Sequence, residues 1–263
     1  MGRFSMIRFS LPIAALGLCA SLLLAGCGGG APPISLKHDS DPHPGVSRAH
    51  SMPVQGIDIS KYQGVIDWAK VRNSGVRFAY MKVSEGGDHI DNRFYENWEA
   101  AKTAGVARGV YHFMYWCRTA SEQAVWFSQA VPHDPAQLPP VLDLEWNNDS
   151  VTCPKRVPRD DALAKIRKML EIMQYHTGKR PVIYTDINFH KDVLEGQFKD
   201  YEFWLRSVAA EPRERYKDRP WTFWQYTATG RVPGIRGDVD RNAFHGSPGE
   251  WEKWLERNRV PTG

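Results

Sequence analysis

Net charge is nearly absent from this sequence. Its 263 residues carry only +4 at neutral pH, and two of the positive charges, Arg3 and Arg8, sit at the N-terminal end. No block of Lys and Arg interleaved with aromatics occurs, which argues against a nucleic-acid partner. A glycine-rich phosphate cradle is missing, as is the Gly-x-Ser-x-Gly elbow of serine hydrolases. Cysteine is scarce, four in all, and no pair has the spacing of a metal motif. The histidines do not stand at ligand spacing with the acids, so no metal and no cofactor is expected. There are no internal repeats. What is plentiful is aromatic: ten Trp and ten Tyr, which suit stacking on sugars and equally suit a core.

The longest apolar run, Leu11 to Leu24, is short for a membrane span and follows the basic Arg3 and Arg8, the pattern of an export signal. It ends in Leu24-Ala25-Gly26-Cys27, which resembles the lipobox of bacterial lipoproteins. That resemblance implies cleavage before Cys27 and lipidation of its thiol, giving an exported protein held on a membrane by acyl chains. Gly28 in place of Asp suits the periplasmic face of the outer membrane if the host is Gram-negative. Residues 28–53, rich in Gly, Pro, Ser and His, read as a flexible tether. With Cys19 in the signal and Cys27 as lipid site, Cys117 and Cys153 remain as an even pair in an oxidising compartment, and a disulfide is expected.

From Val54 the chain alternates strand-like and helix-like segments. Strands are expected at 54–60, 76–83, 109–115, 141–146 and 180–185, with helices at 66–71, from Phe94 to Gly105, at 121–130 and at 160–176. Beyond that the helices fade, and 203–205, 222–226 and 238–240 read as short strands joined by loops. A last helix opens at Ser247-Pro248-Gly249-Glu250, with an N-cap Ser, Pro in the first turn and Glu at the third position. The expected fold is therefore α/β, an irregular TIM-like (β/α) barrel of about eight strands with reduced helices in the C-terminal half. Residues 54–247 would form the barrel, and 248–263 a helix packed on it. A monomer is expected.

Chemistry gathers where a parallel barrel puts it, at the C-terminal strand ends. In Val141-Leu142-Asp143-Leu144-Glu145-Trp146 the two carboxylates share one face of a strand. Carboxylates in different environments can divide into a proton donor and an ionised partner, as glycoside hydrolysis requires. A structural ion pair is the alternative. Other polar residues at strand ends are Asp58, Glu85, Tyr111, His112, Tyr115, Tyr184, Asp186, Gln225, Tyr226, Asp238 and Asp240. This rim of acids and aromatics suits a neutral sugar polymer better than a phosphate. Cys117 and Cys153 follow the third and fourth strands, so their disulfide would tie two rim loops together.

Several motifs in order resemble glycoside hydrolase family 25, the Chalaropsis-type lysozymes. They are Gly56-Ile57-Asp58-Ile59-Ser60-Lys61-Tyr62-Gln63-Gly64, Glu85-Gly86, Gly109-Val110-Tyr111-His112-Phe113, Pro140 to Glu145, Pro181 to Thr185, Trp224-Gln225-Tyr226 and Gly237 to Asn242. The resemblance implies an N-acetylmuramidase that cuts the β-1,4 bond between N-acetylmuramic acid and N-acetylglucosamine in peptidoglycan glycan strands. It implies Glu145 as general acid and Asp143 as the matching carboxylate two residues before it. That same-face spacing suits an ionised Asp143 to orienting the substrate's 2-acetamido group rather than to attack from the opposite side. Inversion, with Asp58 or Asp240 activating water, is the rival. Asp58 and Asp240 are implied as the remaining acids, with Asp238 close enough to be confused with Asp240. Tyr62, Tyr111, Tyr184, Trp224, Gln225 and Tyr226 are candidates to hold the glycan. Tyr62 departs from the family's usual Trp, and Phe203-Trp204-Leu205-Arg206-Ser207 departs from its Leu-Trp-x-Ala, leaving Arg206 to contact the glycan, a peptide-stem carboxylate or a neighbouring acid. Two alternatives stay open: a non-catalytic wall-binding lipoprotein with the same cleft, and a chitinase-like hydrolase.

Overall fold

Successive side chains on a strand point to opposite faces, and here that alternation separates a barrel lumen from an outer helical layer. The computed structural model describes residues 43–217 and 219–260. The signal-like run, Cys27 and the tether up to residue 42 lie outside the described residues. The strands are β1 (Gln55–Ile59), β2 (Val76–Glu85), β3 (His89–Ile90), β4 (Ala107–Phe113), β5 (Val141–Leu144), β6 (Val182–Thr185), β7 (Phe203–Arg206), β8 (Phe223–Gly230) and β9 (Val239–Phe244). Their order is β1-β9-β8-β7-β6-β5-β4-β2, and pairing of β1 with β2 closes an eight-stranded barrel, with β3 a two-residue appendage on β2. Seven barrel strands run parallel. The exception is β9, antiparallel to both β1 and β8.

The helices are α1 (Ser47–Ser51), α2 (Trp68–Asn73), α3 (Phe94–Thr103), α4 (Ala120–Ala130), α5 (Arg159–Thr177), α6 (Ile187–Phe189), α7 (Pro212–Arg215) and α8 (Pro248–Arg257). As expected, the helices shorten after α5, to three residues in α6 and four in α7, before α8 follows the last strand. The helix expected from Ile66 starts at Trp68 instead, because the Asp67 carboxylate accepts from Lys70 N at 3.1 Å and caps it. Leu163, Ile166, Leu170 and Met173 of α5 are buried against the outer barrel face with Leu142, Leu144 and Ile183. Ser247 and Glu250 form the capping box that opens α8.

One expectation is corrected here. Residues 44–51 are not tether: a 3-10 turn (Pro44–Val46) leads into α1, and Val46 and Ala49 are buried against Trp224, Tyr226 and Ala243. The physical reason is the missing helix between β8 and β9. A hairpin leaves the outer face of these two strands bare, and α1 covers it. Arg48 fastens the helix by an ion pair to Glu211 at 2.8 Å.

The lumen is filled from the bottom by aromatics. Phe78, Tyr80, Trp204, Phe223 and Phe244 pack together, and α8 closes the end with Trp251 and Trp254. Rings this large need room, and glycine supplies it on neighbouring strands. A Cβ on Gly56 would sit 2.3 Å from the Phe78 ring, and one on Gly109 would sit 2.3 Å from Tyr80 Cε1. Gly109→Ala is therefore expected to lower unfolding free energy by about 1–3 kcal/mol, the usual cost of overpacking, measurable by urea denaturation. Aromatic filling below forces the open space, and the polar side chains, to the other end.

Candidate active site

At the C-terminal strand ends a cavity of about 470 Å³ is lined by Asp58, Ser60, Tyr62, Lys82, Tyr111, Phe113, Val141, Asp143, Glu145, Tyr184, Trp204, Arg206, Gln225 and Asp240. The structure thus brings together the four acids singled out from the sequence. Each reaches the lumen by strand alternation. Asp143 faces inward from β5 and Glu145 follows two residues later, while Leu142 and Leu144 face the helices. Asp58 and Asp240 are direct partners in the antiparallel β1–β9 register, which sets two carboxyl groups side by side.

A chain of hydrogen bonds fixes the cleft floor. Tyr184 Oη donates to Gln225 Oε1 at 2.9 Å, and Gln225 Nε2 donates to Asp58 Oδ2 at 3.0 Å. Asn242 Nδ2 donates to the same oxygen at 2.7 Å, and Trp204 Nε1 donates to Asn242 Oδ1 at 2.8 Å. Burial still outweighs these two donors, so Asp58 is pushed up to about 6. The backbone under Glu145 is equally held: Trp116 Nε1 donates to Glu145 O at 2.7 Å, and Trp116 stacks on Phe189. Beside it a disulfide joins Cys117 to Cys153, linking the loops that follow β4 and β5.

Burial also drives the other acids toward protonation. Glu145 rises to about 7, first through burial and then through the Asp186 carboxylate, with Arg206 opposing. Asp240 is raised by burial and by Asp58. Asp143 was expected to stay ionised; instead burial, followed by Glu145, raises it well above the usual carboxylate range. The cause is local. Asp143 is only 8% exposed, and its Oδ1 is buried with no hydrogen-bond partner among the described residues. At neutral pH this cluster holds protons that isolated carboxylates would release.

Asp186 caps α6 by accepting from Phe189 N at 2.7 Å. Because its charge raises Glu145, Asp186→Asn is expected to move the alkaline limb of the kcat/KM profile to lower pH, with the cap retained. A pH–rate series on the two proteins checks it.

The other sequence candidates divide between the cleft and the rest of the barrel. Trp224 and Tyr226 were expected at the glycan; both are fully buried on the outer face of β8 beneath α1, and Trp224 Nε1 donates to Ser207 O at 2.7 Å. Gln225 between them faces the lumen, and alternation forbids all three from sharing it. Tyr62, 80% exposed, stands on the rim, while Tyr111 and Tyr184 line the cavity. Asp240 lines the cleft, whereas Asp238 lies outside that lining and pairs with Arg231 at 3.0 Å. His112 is buried behind β4, bonded to Ser84 and Gln123. Glu85 and Tyr115 line a neighbouring groove. Lys82, Phe113 and Trp204 were missed as site residues, although each follows by a two-residue step along its strand from Tyr80, from Tyr111 or toward Arg206. Among the described residues no group of three or more His, Cys, Asp or Glu side chains is arranged to hold a metal ion.

Comparison with known proteins agrees with this geometry. Residues 57–235 match the family described as glycosyl hydrolases family 25. The chain belongs to glycosyl hydrolase family 25. It is similar to lysozyme M1 of Streptomyces globisporus, 35% identical over 77% of this chain and 71% of the relative. Among solved structures it resembles a family 25 glycosyl hydrolase from Bacillus anthracis (TM-score 0.71, 30% identity, 77% of this chain and 94% of the other). It also resembles a bacterial lysozyme from Streptomyces coelicolor (TM-score 0.69, 34% identity, 78% and 97%). As a family 25 member it is a glycoside hydrolase with the closed, mixed eight-stranded barrel of that family. Asp58, Asp143 and Glu145 lie inside the matched region; Asp240 lies just beyond it.

Proposed function

We propose that the protein is a muramidase that hydrolyses the β-1,4 bond between N-acetylmuramic acid and N-acetylglucosamine in peptidoglycan. The observation that carries this reading is Glu145, a carboxylic acid on the cleft wall held protonated up to about 7. Protonating a glycosidic oxygen at neutral pH needs such a group. The names of its relatives, lysozyme among them, point to the same polymer.

In this reading Glu145 gives its proton to the glycosidic oxygen as the C1–O bond breaks. Asp143, two residues away on the same strand face, about 6–7 Å along the strand, is poorly placed to attack from the opposite side. The part of its carboxylate that lines the cleft instead accepts from the N–H of the 2-acetamido group, whose carbonyl oxygen attacks C1. A buried acid gains there the donor it lacks, which favours its ionised form in the complex. The Glu145 carboxylate then takes a proton from water, which opens the cyclic intermediate and returns the β-anomer. Asp58 and Asp240 complete the field around the developing positive charge, and Tyr62, Tyr111, Tyr184 and Gln225 hold the glycan.

Digestion of purified sacculi, with mass spectrometry of the products and NMR of the first-formed anomer, tests this. Muramic acid at the new reducing end, initially β, is expected. An initial α-hemiacetal would mean inversion, with Asp58 or Asp240 activating water. Equal rates on chitin oligomers would indicate a chitinase-like enzyme, and no products from any peptidoglycan a wall-binding protein. We also place the protein, through Leu24-Ala25-Gly26-Cys27, on the outer side of a bacterial cytoplasmic membrane as a lipoprotein, at the periplasmic face of the outer membrane in a Gram-negative host. Metabolic labelling with a tagged fatty acid should mark the protein, and Cys27→Ser should abolish the mark.

A further inference from the structure

Among the described residues the cleft lining holds two cations beside its acids, Lys82 and Arg206. They are not equivalent. The Lys82 ammonium pairs with Glu85 and sits 5.0 Å over the Phe113 ring. Among the described residues the Arg206 guanidinium has no carboxylate within 4.0 Å, donates no hydrogen bond and lies over no ring.

Its backbone, by contrast, is firmly set. Tyr216 Oη donates to Arg206 O at 2.5 Å, Arg206 pairs with Gln225 in the β7–β8 ladder, and Ser207 N donates to Gln225 O at 2.9 Å. The side chain is half-buried, which works against its charge, yet the net shift is upward and the guanidinium stays a cation. Tyr184, Glu145, Asp240 and Asp186 stand around it without occupying the guanidinium's donors. A half-buried charge with open donors is costly unless a ligand completes it. A neutral sugar does not require a guanidinium, whereas a carboxylate fits its planar fork with two parallel hydrogen bonds.

Resting on the muramidase reading, we infer that Arg206 is a specificity-determining residue that receives a carboxylate of the substrate, so that the cleft selects anionic glycan over neutral glycan. Peptidoglycan offers that chemistry from two sources. One is the lactyl ether of muramic acid, a free acid where the stem peptide has been removed and an amide where it is present. The other is a carboxylate of the stem itself.

Binding by the Glu145→Gln protein, which keeps the cleft and does not consume ligand, separates the cases. Three muramic-acid-containing oligosaccharides of equal length serve as probes, carrying free lactyl acid, lactyl carboxamide or intact stem peptides. Adding Arg206→Gln is expected to weaken binding of a carboxylate-bearing probe by about 10–100-fold, the range for hydrogen bonds to charged groups, and to leave the carboxamide unchanged. Adding Arg206→Lys should give an intermediate loss, since it keeps the charge without the fork. Loss confined to the free lactyl acid names that group, and loss confined to the stem-bearing probe names the stem. Equal loss on all three probes, or none on any, would overturn the inference while leaving the muramidase reading intact. Failure of the Glu145→Gln protein to bind any probe would overturn that reading and this one with it. Thermal melting of each variant reports whether the fold is kept, and the Lys variant decides the matter if the Gln variant does not fold.

Discussion

Glu145→Gln is expected to lower kcat on peptidoglycan by about 10²–10⁴-fold, the contribution of a positioned proton donor, while the protein still binds sacculi. The amide keeps the shape of the protonated acid and cannot release a proton. The same substitution should make the fold more stable. Burial and Asp186 raise Glu145 from 4.5 to about 7, so the folded protein binds this proton more tightly than the unfolded chain does. The stability linked to that proton is complete below about 4.5 and is lost as pH rises through about 7. Above that range the wild-type carries a buried carboxylate that the Gln variant does not. A gain of order 1–3 kcal/mol at pH 8, fading toward pH 4, is therefore predicted and can be followed by thermal or urea unfolding across pH. Loss of activity with loss of stability at pH 8 would point instead to a structural role for Glu145.

Asp143→Asn is the second large effect, with kcat reduced by about 10²–10³-fold, as for removal of a preorganised electrostatic partner. The proposed role makes a sharper demand than the size of the loss. If Asp143 acts only through the substrate's acetamido group, replacing it should cost nothing once that group is gone. Wild-type on N-deacetylated glycan should then be at least as slow as the Asn variant on native glycan, and the Asn variant no slower than wild-type on the deacetylated polymer. This is a double-mutant cycle with one change made in the substrate. Additive losses would assign Asp143 a role independent of the acetamido group and favour direct attack by water.

How much of this was legible beforehand differs from element to element. The barrel was, because apolar spacing in α3 to α5 and short apolar strands each obey their own period. Asp143 and Glu145 were, because a two-residue step on a strand keeps both on one face. The same rule, left unapplied to Trp224-Gln225-Tyr226, separates Gln225 in the cleft from two aromatics under α1. Lys82 was missed for the same reason, although Phe78, Tyr80 and Lys82 run along one face of β2. The helix at 47–51 was hidden by its composition: in a Ser- and His-rich stretch only Val46 and Ala49 are buried, and what they cover is a bare hairpin distant in sequence. The state of Asp143 could not be read from spacing, since it depends on burial and on the lack of a donor at Oδ1.

The central claim is that Glu145 holds its proton at neutral pH. A carbon-13 NMR titration with glutamate labelled at the side-chain carboxyl reads this directly, residue by residue. The account predicts one resonance with a midpoint near 7 that disappears in Glu145→Gln and moves to lower pH in Asp186→Asn. A Glu145 midpoint at the ordinary carboxylate value of about 4.3 would contradict it and send the search for the proton donor to Asp58 or Asp240.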